Sequence, residues 1–273
     1  MTSSLVVLTD FYAVTNRALS YAAGLAVPLE AQLVLLHVRH DPLLGPSTYH
    51  RADTAQGQHH TRRALLDLAA DQPVTTTVDV AGGMLPEAVT EAVRLHQPLL
   101  LVLARPGQDP ETAEFVTTAA VDVLRHAPHP LLVVPAAGWD AFPPRRLLLV
   151  VDGEPFRLRP HQDVLRRLLR ATVGSLDVLH VTTDNEARPD GGTVRQSVAA
   201  NDLMDELPAS RVHEVYNPVV CDGILQEAVR QGADMLVVVA RHHSALGGLF
   251  HDSITAQLIQ QSPIPVLLLP AED

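Results

Sequence analysis

The chain has 273 residues, with 20 Lys plus Arg against 31 Asp plus Glu and a formal net charge of -11, a balance that argues against general attraction to nucleic acid or anionic membrane, since both reward a basic surface. Its 47% hydrophobic content lets each of two ordinary domains bury its own core, so disorder is not needed to explain it. The single cysteine, Cys221, excludes an intrachain disulfide and a Cys-based zinc cluster. The start, MTSSLVVLTD, lacks a basic segment leading into a long apolar stretch, and no apolar run approaches the roughly 20 residues of a membrane helix, so a soluble, cytoplasmic protein with small-molecule or protein partners is expected.

In chain order, nearly continuous apolar runs at Leu5–Leu8, Leu33–Val38, Val74–Val80, Leu99–Leu103 and Leu131–Val134 predict strands buried on both faces, as in a parallel sheet. Between them Ala13–Ala26, Ala55–Ala70, Leu85–Leu95 and Ala113–His126 carry apolar residues three and four apart and predict helices. Leu85, Val89, Ala92 and Val93 share one face, and Pro86 falls in the first turn, where its missing N–H costs nothing. The second half predicts strands near Leu147–Val151, Leu176–Val181, Arg211–Val215, Met235–Val239 and Val266–Leu269.

The halves repeat each other. LVVLTD ending at Asp10 recurs as LLLVVD ending at Asp152, and LLHV ending at Val38 recurs as VLHV ending at Val181. GMLPEAV from Gly83 recurs as GILQEAV from Gly223, LLLVLAR ending at Arg105 recurs as DMLVVVAR ending at Arg241, and PLLVVPA from Pro130 recurs as PVLLLPA from Pro265. Five matches in one order mean a duplicated domain. The seam lies near AAGWDAFPPR, where Gly138, Pro143 and Pro144 interrupt both patterns, which predicts domains at 1–137 and 145–273. Each should be an α/β, doubly wound, five-stranded parallel sheet that binds ligands beyond the carboxyl ends of its strands, where strand order reverses.

The first strand with its loop and helix, LVVLTDFYAVTNRALSYAAGLA, and the end of the repeat, AAVDVLRHAPHPLLVVP, resemble the universal stress protein domain. An Asp closes the first strand, a helix rich in Ala and Leu follows, the second strand ends in LHV, and Pro introduces the last strand. The second half matches at Asp152, at His180 with Val181, in the GILQEAV helix and in the SPIPVLLLP ending, so the resemblance spans essentially the whole chain, as a tandem pair. It implies the Rossmann-like strand order 3-2-1-4-5, pairing of the two domains across their last strands within one chain, and room for a homodimer of whole chains. It also implies ATP binding, as in many members, through the Asp after the first strand, the backbone at the end of the second, and a G-x-x-G-x9-G-[ST] loop after the fourth, where backbone N–H groups and a helix N-terminus meet phosphate.

Carried onto this sequence, the ligand-facing positions are Thr9, Asp10, Val38, Ala104, Gly107, Thr117 and Thr118 in the first half and Asp152, Val181 and Ser253 in the second. The loops depart from the pattern. Ala104 and Gly107 stand in the region of the two leading glycines and Thr117–Thr118 in the Gly-[ST] place. In the second half Asp252–Ser253 takes that place, turning a carboxylate toward the phosphates unless Mg²⁺ intervenes. If ATP with Mg²⁺ binds at all, the first half is expected to hold it, with Thr117 and Thr118 receiving phosphate at a helix start.

Plainer readings compete. Asp10 and Asp152 also suit caps or turns, and His37 and His180 are read as packing at a strand end. His242, His243, His251 and Asp252 form a dense polar cluster of residue types that ligate zinc or copper, but their spacing matches no metal motif, and a solvated loop is preferred. No G-x-S-x-G, H-E-x-x-H or G-x-x-x-x-G-K-[ST] is present. The reading adopted is a stress-response interaction or regulatory module without a catalytic role and with degenerate nucleotide sites. Its alternatives are an ATP or AMP switch working through the first domain, with weak ATPase activity compatible with it, and metal binding through the second-domain loop. No nucleic-acid or membrane partner is expected.

Overall fold

The structure is a computed structural model, and it describes residues 3–9, 13–39, 55–105, 107, 110–137, 142–183, 191–203, 211–241 and 253–271. The chain separates into two compact units, Met1–Ala136 and Ala137–Asp273. In the first, β1 (Ser3–Leu8), α1 (Ala13–Ala26), β2 (Ala31–Arg39), α2 (Ala55–Ala70), β3 (Thr76–Gly82), α3 (Leu85–His96), β4 (Leu100–Arg105), α4 (Pro110–His126) and β5 (Leu131–Pro135) follow one another. All pairings are parallel and give the order β3-β2-β1-β4-β5. Leu5 to Val7, Leu33 to Leu36 and Leu100 to Val102 are essentially without solvent exposure, which is why these runs carry no alternating polar residues.

The second unit repeats this arrangement. Its elements are β6 (Arg146–Val151), α5 (Gln162–Thr172), β7 (Ser175–Thr182), α6 (Gly191–Ala200), β8 (Val212–Tyr216), α7 (Val220–Gln231), β9 (Met235–Arg241), α8 (Ile254–Gln261) and β10 (Val266–Ala271). The order β8-β7-β6-β9-β10 is again wholly parallel. In both units the chain therefore reverses its direction of travel across the sheet between the first and fourth strands of the repeat, the point where doubly wound sheets open a crevice.

Two expectations require correction. The third strand of the first half begins at Thr76 and runs to Gly82, later than the apolar run Val74–Val80 suggests, because its pairing to β2 starts with Thr76 opposite Leu33. More consequential, α4 begins at Pro110. Pro is well placed in a first helical turn, and this start puts Thr117 and Thr118 two turns inside the helix and not at its N-terminus.

Candidate functional site

At the first-half switch point, Thr9 follows β1. Its backbone N–H donates to the Leu36 carbonyl at 3.0 Å, and its own carbonyl accepts Nδ1–H of His37 at 3.0 Å. The imidazole thus fixes the end of β1 against β2. The Thr9 hydroxyl is buried and has no hydrogen-bond partner among the described residues. Val38 is buried and paired with Ala81, and Ala104 is buried and paired with Val134. Gly107 is exposed, with open space where a side chain would stand. Asp10 lies outside the described residues.

The helix that should begin near Thr117 is already formed seven residues earlier, roughly 10 Å along its axis. Thr117 is 2% exposed and Thr118 half-buried. A residue inside a helix has its N–H committed to the carbonyl four residues back, so Thr117 and Thr118 offer no backbone donors to a phosphate. Arg105, which closes β4, is 8% exposed, and burial pushes its guanidinium below the usual arginine range.

The second half is arranged differently. Asp152 follows β6, and Arg241 closes the neighbouring β9. Arg241 donates from Nε to Oδ2 of Asp152 at 2.7 Å and from Nη2 to Oδ1 at 2.9 Å, a two-pronged fork. The same guanidinium donates to the Glu154 carbonyl at 3.0 Å and the Pro155 carbonyl at 3.0 Å. Oδ1 of Asp152 also accepts the Glu154 N–H at 3.1 Å, closing a turn of the kind Asp favours. Burial alone would raise the Asp152 carboxyl, but the hydrogen bonds from Arg241 and the Glu154 N–H outweigh it and hold its pKa below the ordinary range.

Around this fork the backbone is close-packed. Gly153 has φ +83, a conformation that strains an L-residue, and a Cβ there would lie 2.9 Å from Nε2 of His180. Nδ1 of His180 stands 3.6 Å from Oε1 of Glu214. Val181 is buried and paired with Val215. Ser253 is the N-cap of α8, its side chain accepting the Ala256 N–H at 3.1 Å.

The structure therefore brings Thr9 with His37, and Asp152 with Arg241, to strand ends. It does not bring Thr117 and Thr118 to a helix start, whereas Ser253 does stand at one. His242, His243, His251 and Asp252 lie outside the described residues. Among the described residues no three or more His, Cys, Asp and Glu side chains gather as a metal site, and no helix is long and apolar enough to cross a membrane. Burial, with the nearby Asp222 charge, pushes the buried Cys221 thiol up to about 11, which keeps it protonated and unreactive at neutral pH. Sequence reasoning missed Arg241. Its signal was present: a charged residue closes an otherwise apolar fourth strand in both repeats.

Comparison with known proteins agrees with the duplicated architecture. The family model described as "Universal stress protein family" matches residues 1–135 and again 144–270. A universal stress protein from Archaeoglobus fulgidus DSM 4304 is similar in structure, with TM-score 0.68 and 15% identity, 98% of this chain and 98% of that chain being covered. A protein from Pseudomonas aeruginosa PAO1 described as functionally unknown is similar with TM-score 0.58 and 15% identity, covering 98% of this chain and 92% of that one. At such identities the structural likenesses speak for the fold alone. No curated protein sequence matches the chain.

Proposed function

The chain belongs to the universal stress protein family in both of its halves, and from that premise we propose that it serves the stress response as a non-catalytic interaction or regulatory module whose nucleotide sites have degenerated. The observation that carries this reading is the start of α4 at Pro110. A phosphate loop works through backbone N–H groups left unpaired in a loop and at a helix N-terminus. In the first half the helix takes up the stretch in which those groups would lie, including Thr117 and Thr118, and this is the half in which the sequence leaves most room for a ligand. The carboxylate of Asp152 in the second half is already engaged by Arg241.

Calorimetry of the full chain with ATP and Mg²⁺ tests the reading. No saturable heat below about 1 mM nucleotide is expected. One site with a micromolar Kd, lost in Asp10→Ala, would replace this reading with a nucleotide switch in the first domain.

A further inference from the structure

The strongest unassigned constellation is the Arg241 fork, because of where it stands. β6 and β9 are neighbours, with Val150 paired to Val238, and they are the two strands between which the order of the second sheet reverses. Asp152 leaves the carboxyl end of one and Arg241 the carboxyl end of the other, so the fork stands at the switch point, the place at which such sheets bind ligands. Four of its hydrogen bonds engage both carboxylate oxygens and the carbonyls of Glu154 and Pro155. Those are acceptors, the groups that would read hydroxyl or amine donors on a ligand. The Arg241 side chain is 16% exposed and Asp152 53%. The guanidinium is thus the more buried partner of the pair, and the carboxylate stands at the exposed rim.

We infer that Arg241 is an intramolecular plug that keeps the second-domain crevice closed to ribonucleosides by occupying the acceptors Asp152, Glu154 and Pro155. The inference rests on the reading that the strand-end sites hold no nucleotide, and it names the residue responsible in the second half. Arginine suits the role because its planar fork matches a carboxylate and its remaining N–H groups reach two carbonyls at once. A lysine ammonium in the same place cannot form that fork. The sequence repeats the two residue types as Asp10 and Arg105 in the first half, but Asp10 lies outside the described residues and the assignment is confined to Arg241.

The test uses the full chain and calorimetry with adenosine and with ATP plus Mg²⁺, on wild type, Arg241→Ala, Arg241→Lys and the double variant Asp152→Ala/Arg241→Ala. A crevice closed nine-tenths of the time binds about tenfold more weakly than an open one. Arg241→Ala is thus expected to bind on the order of tenfold or more tightly than wild type. The gain should appear for adenosine as well as ATP, since the freed groups are acceptors, and it should vanish in the double variant. Circular dichroism and melting establish that each variant is folded. If Arg241→Ala is not, Arg241→Lys carries the comparison and is expected to show a smaller gain.

A folded Arg241→Ala that binds neither ligand, beside an equally empty wild type, overturns the plug and leaves the functional reading standing. A gain confined to ATP, or one that survives in the double variant, also overturns it. Tight binding by wild type overturns both.

Discussion

The two halves share a strand order and part company at their switch points. After its fourth strand the first half forms a helix from Pro110 that carries Thr117 and Thr118 in its interior, whereas the helix from Ile254 in the second half is capped by Ser253. The aligned glycines diverge as well. Gly83 stands two residues before α3, with φ +93 and open space around it, but Gly223 is the fourth residue of α7, where a Cβ would meet Cβ of Asn217 at 2.7 Å and Cγ1 of Val181 at 2.9 Å. Duplication has thus kept what strand burial enforces. Helix starts and loop contacts, which a few local hydrogen bonds decide, have drifted apart.

That comparison can be broken or sharpened by mutation. The largest effect is expected within each unit, at the amino end of the first strand of the repeat. In the second half Asp234 accepts the backbone N–H groups of Arg145 and Arg146 at 2.9 Å each and Nη2 of Arg146 at 3.3 Å. In the first half the corresponding side-chain tie among the described residues is the Ser4 hydroxyl donating to the His96 carbonyl at 3.2 Å. Asp234→Ala is expected to cost about 2 to 3 kcal/mol, against about 1 kcal/mol for Ser4→Ala, in urea unfolding. Equal costs would mean that the two ties are equivalent after all.

The glycines come next. Gly223→Ala should cost about 1 to 2 kcal/mol, the clash exceeding what alanine returns in helix propensity, and Gly223→Asn should cost more. At Gly83 the obstacle is backbone conformation and not space, so Gly83→Ala is expected to cost about 1 kcal/mol and Gly83→Asn no more than that. Thermal melts of the four variants would reveal this opposite ordering.

A smaller and favourable change is expected at the end of α5. There Val173, 86% exposed, holds φ 52, a conformation that costs an L-residue roughly 1 kcal/mol or more. α7 ends on Gly232 at φ 60 instead. Val173→Gly should raise stability by about 1 kcal/mol, read as a higher urea midpoint.

The smallest effect depends on pH. Because the folded pKa of Asp152 lies below its ordinary value of 3.8, its ion pair stabilises the folded state at neutral pH, and that contribution is lost as pH falls through the folded value. The Tm difference between wild type and Asp152→Asn should therefore be present at pH 7 and shrink once pH drops below about 4. A difference that stays constant down to pH 2 would show that the fork contributes through packing and not through charge.

Most of the fold was legible in the sequence because buried parallel strands need continuous apolar runs. The helices Ala13–Ala26 and Ala55–Ala70 stand at the bounds expected from the sequence. The α4 start was not legible, since ETAEF after Pro110 carries little apolar periodicity and a first turn is decided by local backbone contacts. The site was less legible still. The Asp152–Arg241 pair joins residues 89 apart, and only the adjacency of β6 and β9 brings them together. The repeat of Arg105 and Arg241 marked the position without naming a partner.

The central claim, that the strand-end sites have lost their nucleotide, is tested most directly by denaturing protein purified without added nucleotide and measuring by chromatography the ATP, ADP and AMP released per chain. The account predicts a small fraction of one equivalent; release of about one or two equivalents would contradict it.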